Sequence, residues 1–138
     1  MKLDFTSLVQ AVNALRRSFE ESQPLLPSFS PIMQDVVKAG VIQHFEVAYE
    51  QCWKAMKRWL ETNLNSESVD GVSRRELFRL AAEHQLIKDV DVWMSFHKGR
   101  NSTSHTYDAA TAQDVYDIAV AFISEAERFV TGISARND

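Results

Sequence analysis

Apolar side chains recur at helical spacing along most of the chain. Between residues 4 and 22 they follow one another at gaps of three and four: Phe5, Leu8, Val12, Leu15 and Phe19. This spacing places them on one face and predicts an amphipathic helix over 4–22. Residues 22–31 hold all three prolines. Proline lacks the backbone donor that a helix interior needs, so this stretch is expected to be an extended connection.

The longest helical pattern covers residues 32–62. Its apolar positions again alternate gaps of four and three: Phe45, Tyr49, Cys52, Met56 and Trp59. Gly40 weakens the case for an unbroken helix from Ile32, because glycine costs about 1 kcal/mol relative to alanine in a helix interior. The polar run over 63–71 predicts a loop.

Three further patterns complete the chain. Ser73 to Glu76 has the form of a capping box and predicts the start of a short helix. A fourth helical stretch runs from Asp89 to Gly99, and a last one covers 115–133, with Thr111 and Asp114 as its expected cap and a frayed polar tail after it. Strand-like alternation is absent, so the predicted fold is all-α, an antiparallel up-and-down bundle of four to five helices.

Composition narrows the class of protein. With 138 residues, 45% of them hydrophobic, the chain has the size of one globular domain. Its single cysteine, Cys52, is expected to be a buried small hydrophobe. The first residues lack the pattern of a signal peptide and no apolar run has the length of a membrane span, so a cytoplasmic location is expected. A net charge of -4 argues against coating nucleic acid by bulk attraction, but leaves room for a local basic site.

Several kinds of chemistry have little support in the residues. A Gly-rich phosphate loop is absent, and no cofactor is expected. Glu46 and Glu50 lack the facing Glu-x-x-His pairs of a di-iron bundle, so no metal site is expected. Both are interpreted as surface charges, or as partners of Lys54 and Lys57 at helical spacing.

The segment over 97–108 is different, because it places Arg100, Asn101, His105 and Tyr107 at the end of a helix. A permanent cation suits a phosphate, and an imidazole can exchange a proton near neutral pH. Metal-free cleavage of RNA needs both: one group to deprotonate the 2'-hydroxyl, another to stabilise charge on the phosphate. On an ideal helix Arg100 and His105 lie about 140° apart. They converge only if the helix ends between them or a symmetric dimer brings two segments around one cleft.

The order Arg100-Asn101-Ser102-Thr103-Ser104-His105-Thr106-Tyr107 matches the R-x4-H-x-Y motif of the HEPN superfamily. Within it, the chain resembles the nucleotidyltransferase substrate-binding proteins. The likeness extends to Phe45-Glu46, Glu50 and Trp53-Lys54 on the long second helix, and to the length and helical layout. It covers nearly the whole chain, which is therefore expected to form one HEPN-like bundle over residues 1–138.

This resemblance implies a homodimeric, metal-independent ribonuclease toxin paired with a separately encoded minimal nucleotidyltransferase as its antitoxin. Arg100 and His105 would be catalytic, and Asn101 would orient the substrate or the histidine. Cleavage of single-stranded RNA would leave a 2',3'-cyclic phosphate and a 5'-hydroxyl. Tyr107 would accept AMP from the partner, placing bulk and negative charge where RNA phosphate must sit.

Two alternatives stay open at the level of sequence. In the first, the chain is a non-catalytic subunit that binds a nucleotide or other substrate for its partner enzyme, and Arg100 and His105 only hold that ligand. The second concerns the role of Asp108, which either orients the His105 imidazole or serves as a solvent-exposed helix cap. His84 and His97 are both interpreted as structural.

Overall fold

The computed structural model describes residues 2–137, and regular structure there is entirely helical. The α-helices are α1 (Thr6–Ser22), α2 (Pro31–Asn63), α3 (Ser66–Val69), α4 (Arg74–Glu83), α5 (Val90–Asn101) and α6 (Ala109–Ala135). Single 3-10 turns cover Leu26–Ser28 and Ser102–His105. The prediction of an all-α bundle is confirmed, with six helices in this part of the chain where four or five were expected.

The second helix is continuous from Pro31 and passes through Gly40 without a break. Its start is defined by Ser30, whose side chain accepts a hydrogen bond from the backbone N–H of Met33, and by Pro31 in the first turn, where a missing donor costs nothing. The proline-rich connection is therefore shorter than expected, and the prediction that it is extended is wrong, because it folds into the 3-10 turn Leu26–Ser28. A β-carbon added at Gly40 would meet nothing within 4 Å, so packing within the chain does not account for this glycine.

Aromatic side chains from α2, α5 and α6 meet at the centre of the core. The ring centroids of Phe96 and Phe122 are 5.0 Å apart, and those of Trp93 and Phe122 are 5.6 Å apart, both edge to face. Phe45 contacts Phe122 in the same way at 5.3 Å. This geometry is favourable for aromatic quadrupoles, and it fixes α5 against both long helices. Cys52 is fully buried as predicted, and burial raises the pKa of its thiol.

The contact between α5 and α6 depends on Gly99. A β-carbon at this position would lie 2.7 Å from Cγ2 of Ile118, well inside van der Waals contact. Arg100 follows directly, so the close approach of the two helices determines where the last turn of α5 sits.

Two connections differ from their predictions. The polar run expected as a loop contains α3, which Asn65 caps by accepting a hydrogen bond from the backbone N–H of Ser68. Ser73 caps α4 as predicted, with Oγ 3.1 Å from the backbone nitrogen of Glu76. The Glu76 carboxylate, however, pairs with the Arg79 side chain, so the reciprocal half of the predicted capping box is replaced by an ion pair within the helix.

The last helix begins at Ala109, three residues before the start that the expected Thr111 cap implies. Asp108 is its cap and accepts hydrogen bonds from the backbone and the hydroxyl of Thr111. The predicted Thr111–Asp114 cap is wrong, because Thr111 is the residue being capped. The tail also stays ordered through Asn137, whose side chain bonds both backbone groups of Leu3 at 2.8 Å. Among residues 2–137 no helix is both long and apolar enough to cross a membrane.

Candidate functional site

Arg100 lies in the last turn of α5 and its guanidinium points across to α2. Nε lies 3.3 Å from a carboxylate oxygen of Glu50, and Nη1 lies 3.6 Å from one of Glu46. Nη1 also donates a hydrogen bond to Oγ1 of Thr103 at 3.2 Å. Nε is buried, and the Glu50 contact is an ion pair without hydrogen-bond geometry, so Nε has no hydrogen-bond partner in the described residues. The guanidinium is thus held in place while part of its donor capacity is unused.

These contacts correct the interpretation of Glu46 and Glu50. The two carboxylates lie one turn apart on α2, where they face Arg100, and the ion pairs found in residues 2–137 do not join them to Lys54 or Lys57. Helical spacing shows which residues share a face, but it does not show which neighbouring helix that face meets. The role of the two acids in positioning Arg100 is therefore a finding of the structure.

The helix ends between the two predicted catalytic residues, as the sequence required for convergence within one chain. After Asn101 the backbone tightens into the 3-10 turn over Ser102–His105. Hydroxyl groups compete there for backbone acceptors, since Ser102 Oγ donates to the carbonyl of Lys98 and Thr103 Oγ1 to that of Arg100. The Ser/Thr-rich spacer thus ends α5 by local hydrogen bonding.

His105 is the last residue of this turn, Tyr107 lies two residues beyond it, and both are exposed. The Tyr107 side chain is 87% exposed, and its ring centroid lies 6.2 Å from that of the His105 imidazole. In the described part of one chain, no hydrogen bond joins the Arg100 guanidinium to His105. The two groups therefore lie on one short segment, and within one chain they do not form a hydrogen-bonded pair.

A pocket of about 380 Å³ separates this segment from the first half of α2. It is lined by Lys38, Gln43, Glu46, Thr103 and Tyr107, among others. Its mixed polar and apolar lining and its size suit a small ligand or part of a larger one. Tyr107 lies at the edge between this pocket and solvent.

His97, expected to be only structural, lies in a polar network beside Arg100. Its Nδ1 is 2.8 Å from the hydroxyl of Tyr49, which also accepts a hydrogen bond from Arg74 at 3.2 Å. On the other side of the ring, Nε2 is 3.3 Å from Nδ2 of Asn101. This arrangement puts the imidazole proton on Nδ1 and makes Nε2 the acceptor of the Asn101 amide. The ring therefore fixes Asn101, one of the predicted site residues, next to Arg100.

Burial tunes the acid–base groups of this network. Desolvation, reinforced by the Arg74 charge, lowers the pKa of His97, so the ring is neutral at pH 7 and can accept from Asn101. Desolvation also raises the pKa of Tyr49 to about 12, against the opposing effect of Arg74. Only contacts between α2, α4 and α5 reveal this network. The one sequence signal was the four-residue spacing of His97 and Asn101, which puts them on one face.

Two further expectations can be compared with the geometry. Asp108 uses its carboxylate to cap α6, and hydrogen bonding by Thr111 lowers its pKa, so the helix-cap interpretation is confirmed over contact with His105. No cluster of three or more His, Cys, Asp or Glu side chains able to hold a metal ion occurs within residues 2–137.

An all-helical fold with the segment from Arg100 to Tyr107 at the end of α5 is what the resemblance to HEPN proteins predicts. Residues 3–135 match the family described as "Nucleotidyltransferase substrate binding protein like". The chain belongs to this family, and the resemblance stated from Arg100 to Tyr107 is confirmed.

Three relatives show how far the likeness extends. A Haemophilus influenzae protein named "Probable ribonuclease HepT" is 34% identical over 135 residues, which is 96% of this chain and 88% of that protein. A solved H. influenzae structure, described as revealing the fold of a substrate binding domain of a nucleotidyltransferase, superposes with a TM-score of 0.87 at 30% identity, over 93% of this chain and 97% of that one. A crystal structure from Thermus thermophilus gives a TM-score of 0.70 at 25% identity, over 90% of this chain and 96% of that one.

Proposed function

We propose that this protein is a metal-independent endoribonuclease toxin that acts as a homodimer and is silenced by a partner nucleotidyltransferase. The observation that carries the proposal is the setting of Arg100. Its guanidinium is held by Glu46 and Glu50 yet keeps an unused buried donor, and it lies one short turn before an exposed imidazole. The name of the H. influenzae relative supports a ribonuclease.

In the proposed reaction His105 removes the proton from a ribose 2'-hydroxyl. The 2'-oxygen then bonds to the adjacent phosphorus as the bond to the 5'-oxygen breaks, and that oxygen takes a proton from solvent. Arg100 stabilises the negative charge that accumulates on the phosphate oxygens. Asn101, fixed by His97, is placed to orient the phosphate. The products are a 2',3'-cyclic phosphate and a 5'-hydroxyl.

The exposure of Tyr107 supports its proposed role as the AMP acceptor. A side chain that is 87% exposed is accessible to a partner enzyme without local unfolding. Transfer of AMP from ATP would bond the phenol oxygen to the α-phosphorus and release pyrophosphate. The attached phosphodiester would place negative charge within two residues of His105, where the phosphate of RNA must enter.

An exposed face of α2 supports the homodimer. Ile32, Val36 and Val47 are 72%, 56% and 45% exposed, and they lie within an arc of roughly 100° that also contains Gly40. Exposed large apolar side chains on one helix face favour burial against another surface, and a glycine without neighbours allows a second helix to approach closely. Glu46 borders the same face. Pairing through it would therefore bring two copies of the 100–107 segment near one cleft.

The proposal is tested by incubating the purified protein with single-stranded RNA in excess chelator. Cleavage is expected to persist, and to fall by at least about a hundred-fold in Arg100→Ala and in His105→Ala. Arg128→Ala, which removes an arginine paired with Glu125 on α6, is the matched control and should retain activity. Cleavage that requires added metal, or that survives both site substitutions, would refute metal-independent cleavage by Arg100 and His105.

The two finer claims have their own measurements. Incubation with the partner and ATP should raise the intact mass by AMP units, and Tyr107→Phe should abolish this increase. Val36→Asp should convert a dimer to a monomer in light scattering, whereas Lys2→Asp on the exposed N-terminal segment should not. A monomeric wild-type chain would contradict the dimer, and modification of Tyr107→Phe would place the acceptor elsewhere.

The second candidate is a non-catalytic subunit that presents a substrate to the nucleotidyltransferase. The pocket beside Tyr107 favours it, because its size and lining suit a bound small molecule. Nucleotide binding at this pocket by a chain that never cleaves RNA would support the subunit over the enzyme.

A further inference from the structure

Trp53 on α2 lies at the centre of a second surface, distinct from the pocket beside Tyr107. The indole is partly exposed, unlike the other two tryptophans, Trp59 and Trp93, which are 6% and 1% exposed. Its Nε1 donates to the Glu50 carboxylate at 2.9 Å, which fixes the plane of the ring. The Arg74 guanidinium carbon lies 3.7 Å from the ring centroid, so a planar cation already stacks on this indole.

Four cations surround this tryptophan: Lys54, Lys57, Arg58 and Arg74. We call these four residues and Trp53 the Trp53 face. The ion pairs found in residues 2–137 engage Arg16, Arg75, Arg79, Arg100 and Arg128, but none of these four cations. Arg58 and Arg74 donate only to neutral oxygens, the carbonyl of Asp4 and the hydroxyl of Tyr49. In a chain with a net charge of -4, this surface is locally basic, because its four cations outnumber the two adjacent carboxylates, Asp4 and Glu50.

Two pockets share Trp53 in their lining. One, of about 530 Å³, is lined by Trp53, Lys54, Lys57 and Arg58 together with Asp4 and others. The other, of about 350 Å³, is lined by Trp53, Lys57 and Arg74 and extends to His97. Both fall within the range of about 300–1,000 Å³ typical of ligand sites. An aromatic ring shared by two cation-lined pockets combines the features that bind single-stranded nucleic acid: a stacking platform and charges along the backbone path.

The Trp53 face is continuous with the proposed catalytic segment. Glu50 contacts both the Trp53 indole and the Arg100 guanidinium, and His97 lines the second pocket while its Nε2 contacts Asn101. A strand that crosses the indole is therefore within one side chain of Arg100.

We propose that the Trp53 face binds single-stranded RNA, with one base stacked on the Trp53 indole and with phosphates near Lys57 and near Lys54, whose Nζ lies 5.8 Å from the ring centroid. The strand continues past His97 to Arg100, so this face guides substrate to the cleavage site. This inference rests on the proposed ribonuclease function. It adds a specific surface to it and explains how an acidic protein holds an acidic substrate.

The test uses a fluorescein-labelled, fully 2'-O-methylated RNA strand, which binds but cannot be cut. Binding by the full chain should quench tryptophan fluorescence, because Trp53 is the accessible indole, and Trp53→Leu should remove the quenching and weaken binding by about ten-fold. Lys54→Gln with Lys57→Gln should reduce the salt dependence of binding, with a slope of log K against log salt smaller by about 1.4.

Arg75→Gln with Arg79→Gln is the matched control. It also removes two cations, but these belong to exposed ion pairs of α4, Arg75 with Asp91 of α5 and Arg79 with Glu76. Its binding and salt slope should match the wild type. Equal effects of the two double variants, or wild-type binding without quenching, would overturn the Trp53 face. If Trp53→Leu fails to fold, the fluorescence quenching of the wild-type protein and the binding of the lysine double variant still test the proposal. The inference would also be overturned if these variants lost binding to the protein partner in the absence of RNA, because the face would then be a protein interface.

The same variants separate this inference from the proposed function. If the variant Lys54→Gln with Lys57→Gln cleaves unmethylated RNA like the wild type and with an unchanged KM, the proposed ribonuclease function stands and the Trp53 face is refuted. Binding of the methylated strand through the face, with no cleavage of unmethylated RNA, refutes the ribonuclease and keeps the face.

Discussion

Replacing Gly99 with alanine tests how the packing of α5 on α6 positions Arg100. The new methyl group would stand 2.7, 3.2 and 3.3 Å from Cγ2, Cδ1 and Cβ of Ile118, whereas carbon atoms in ordinary contact are about 3.5–4.0 Å apart. Relief requires Ile118 to move or α5 to shift outward. Overpacking of this kind costs about 1–3 kcal/mol.

Gly132→Ala provides the matched comparison, because it lies within α6 and an added β-carbon there meets nothing within 4 Å. Both substitutions gain about 1 kcal/mol of helix propensity, and this gain cancels between them. Gly99→Ala should therefore be less stable than Gly132→Ala by about 1–3 kcal/mol, measured as the free energy of unfolding in urea.

The cause of that difference can be checked with Ile118→Ala, which removes the two closest carbon atoms. In this background the difference between the two alanine variants should shrink to below about 1 kcal/mol. Equal stabilities of Gly99→Ala and Gly132→Ala with Ile118 intact would refute the close-contact argument. Because Arg100 follows Gly99, we also expect Gly99→Ala to slow RNA cleavage, while Gly132→Ala should not.

Three further outcomes are expected. Glu50→Gln keeps an acceptor for the indole of Trp53 but removes the negative charge that pairs with Arg100. The kcat/KM for RNA should therefore fall on the order of ten-fold, and an unchanged value would contradict the positioning role. Burial and Arg74 lower the folded-state pKa of His97, so the unfolded chain binds its proton more readily, and the free energy of unfolding should fall as pH drops below 6.5. His97→Gln should reduce this pH dependence in urea titrations, and a slope identical to that of the wild type would refute it. Ser73→Ala should lower the unfolding free energy by about 1 kcal/mol through loss of the α4 cap, and an unchanged stability would show that the cap contributes nothing.

Local patterns in the sequence account for most of the fold. Apolar spacing located the long helices, and Ser73 marked the start of α4 because N-caps depend on residues within one turn. The errors occurred where two local patterns compete. Asp108 and Thr111 are both plausible caps, and only the backbone shows that Asp108 accepts the hydrogen bonds.

The sequence predicted which residues of one segment make up the candidate site, but not which residues of other helices contact them. Arg100, Asn101, His105 and Tyr107 are close in sequence, so a motif identifies them. The contacts that hold Arg100 against α2 join separate helices, as in its ion pair with Glu50. Such pairs depend on which faces meet in the bundle, and one sequence does not contain that information.

The central claim is that Arg100 and His105 act together on an RNA phosphate through attack by the neighbouring 2'-hydroxyl. The most direct measurement is the mass of the fragment ends formed from a defined single-stranded RNA in excess chelator. We expect 2',3'-cyclic phosphate and 5'-hydroxyl ends, and an uncut strand when the ribose at the cleavage position is 2'-deoxy. Cleavage of that deoxy strand at the same position, or 5'-phosphate ends, would contradict it.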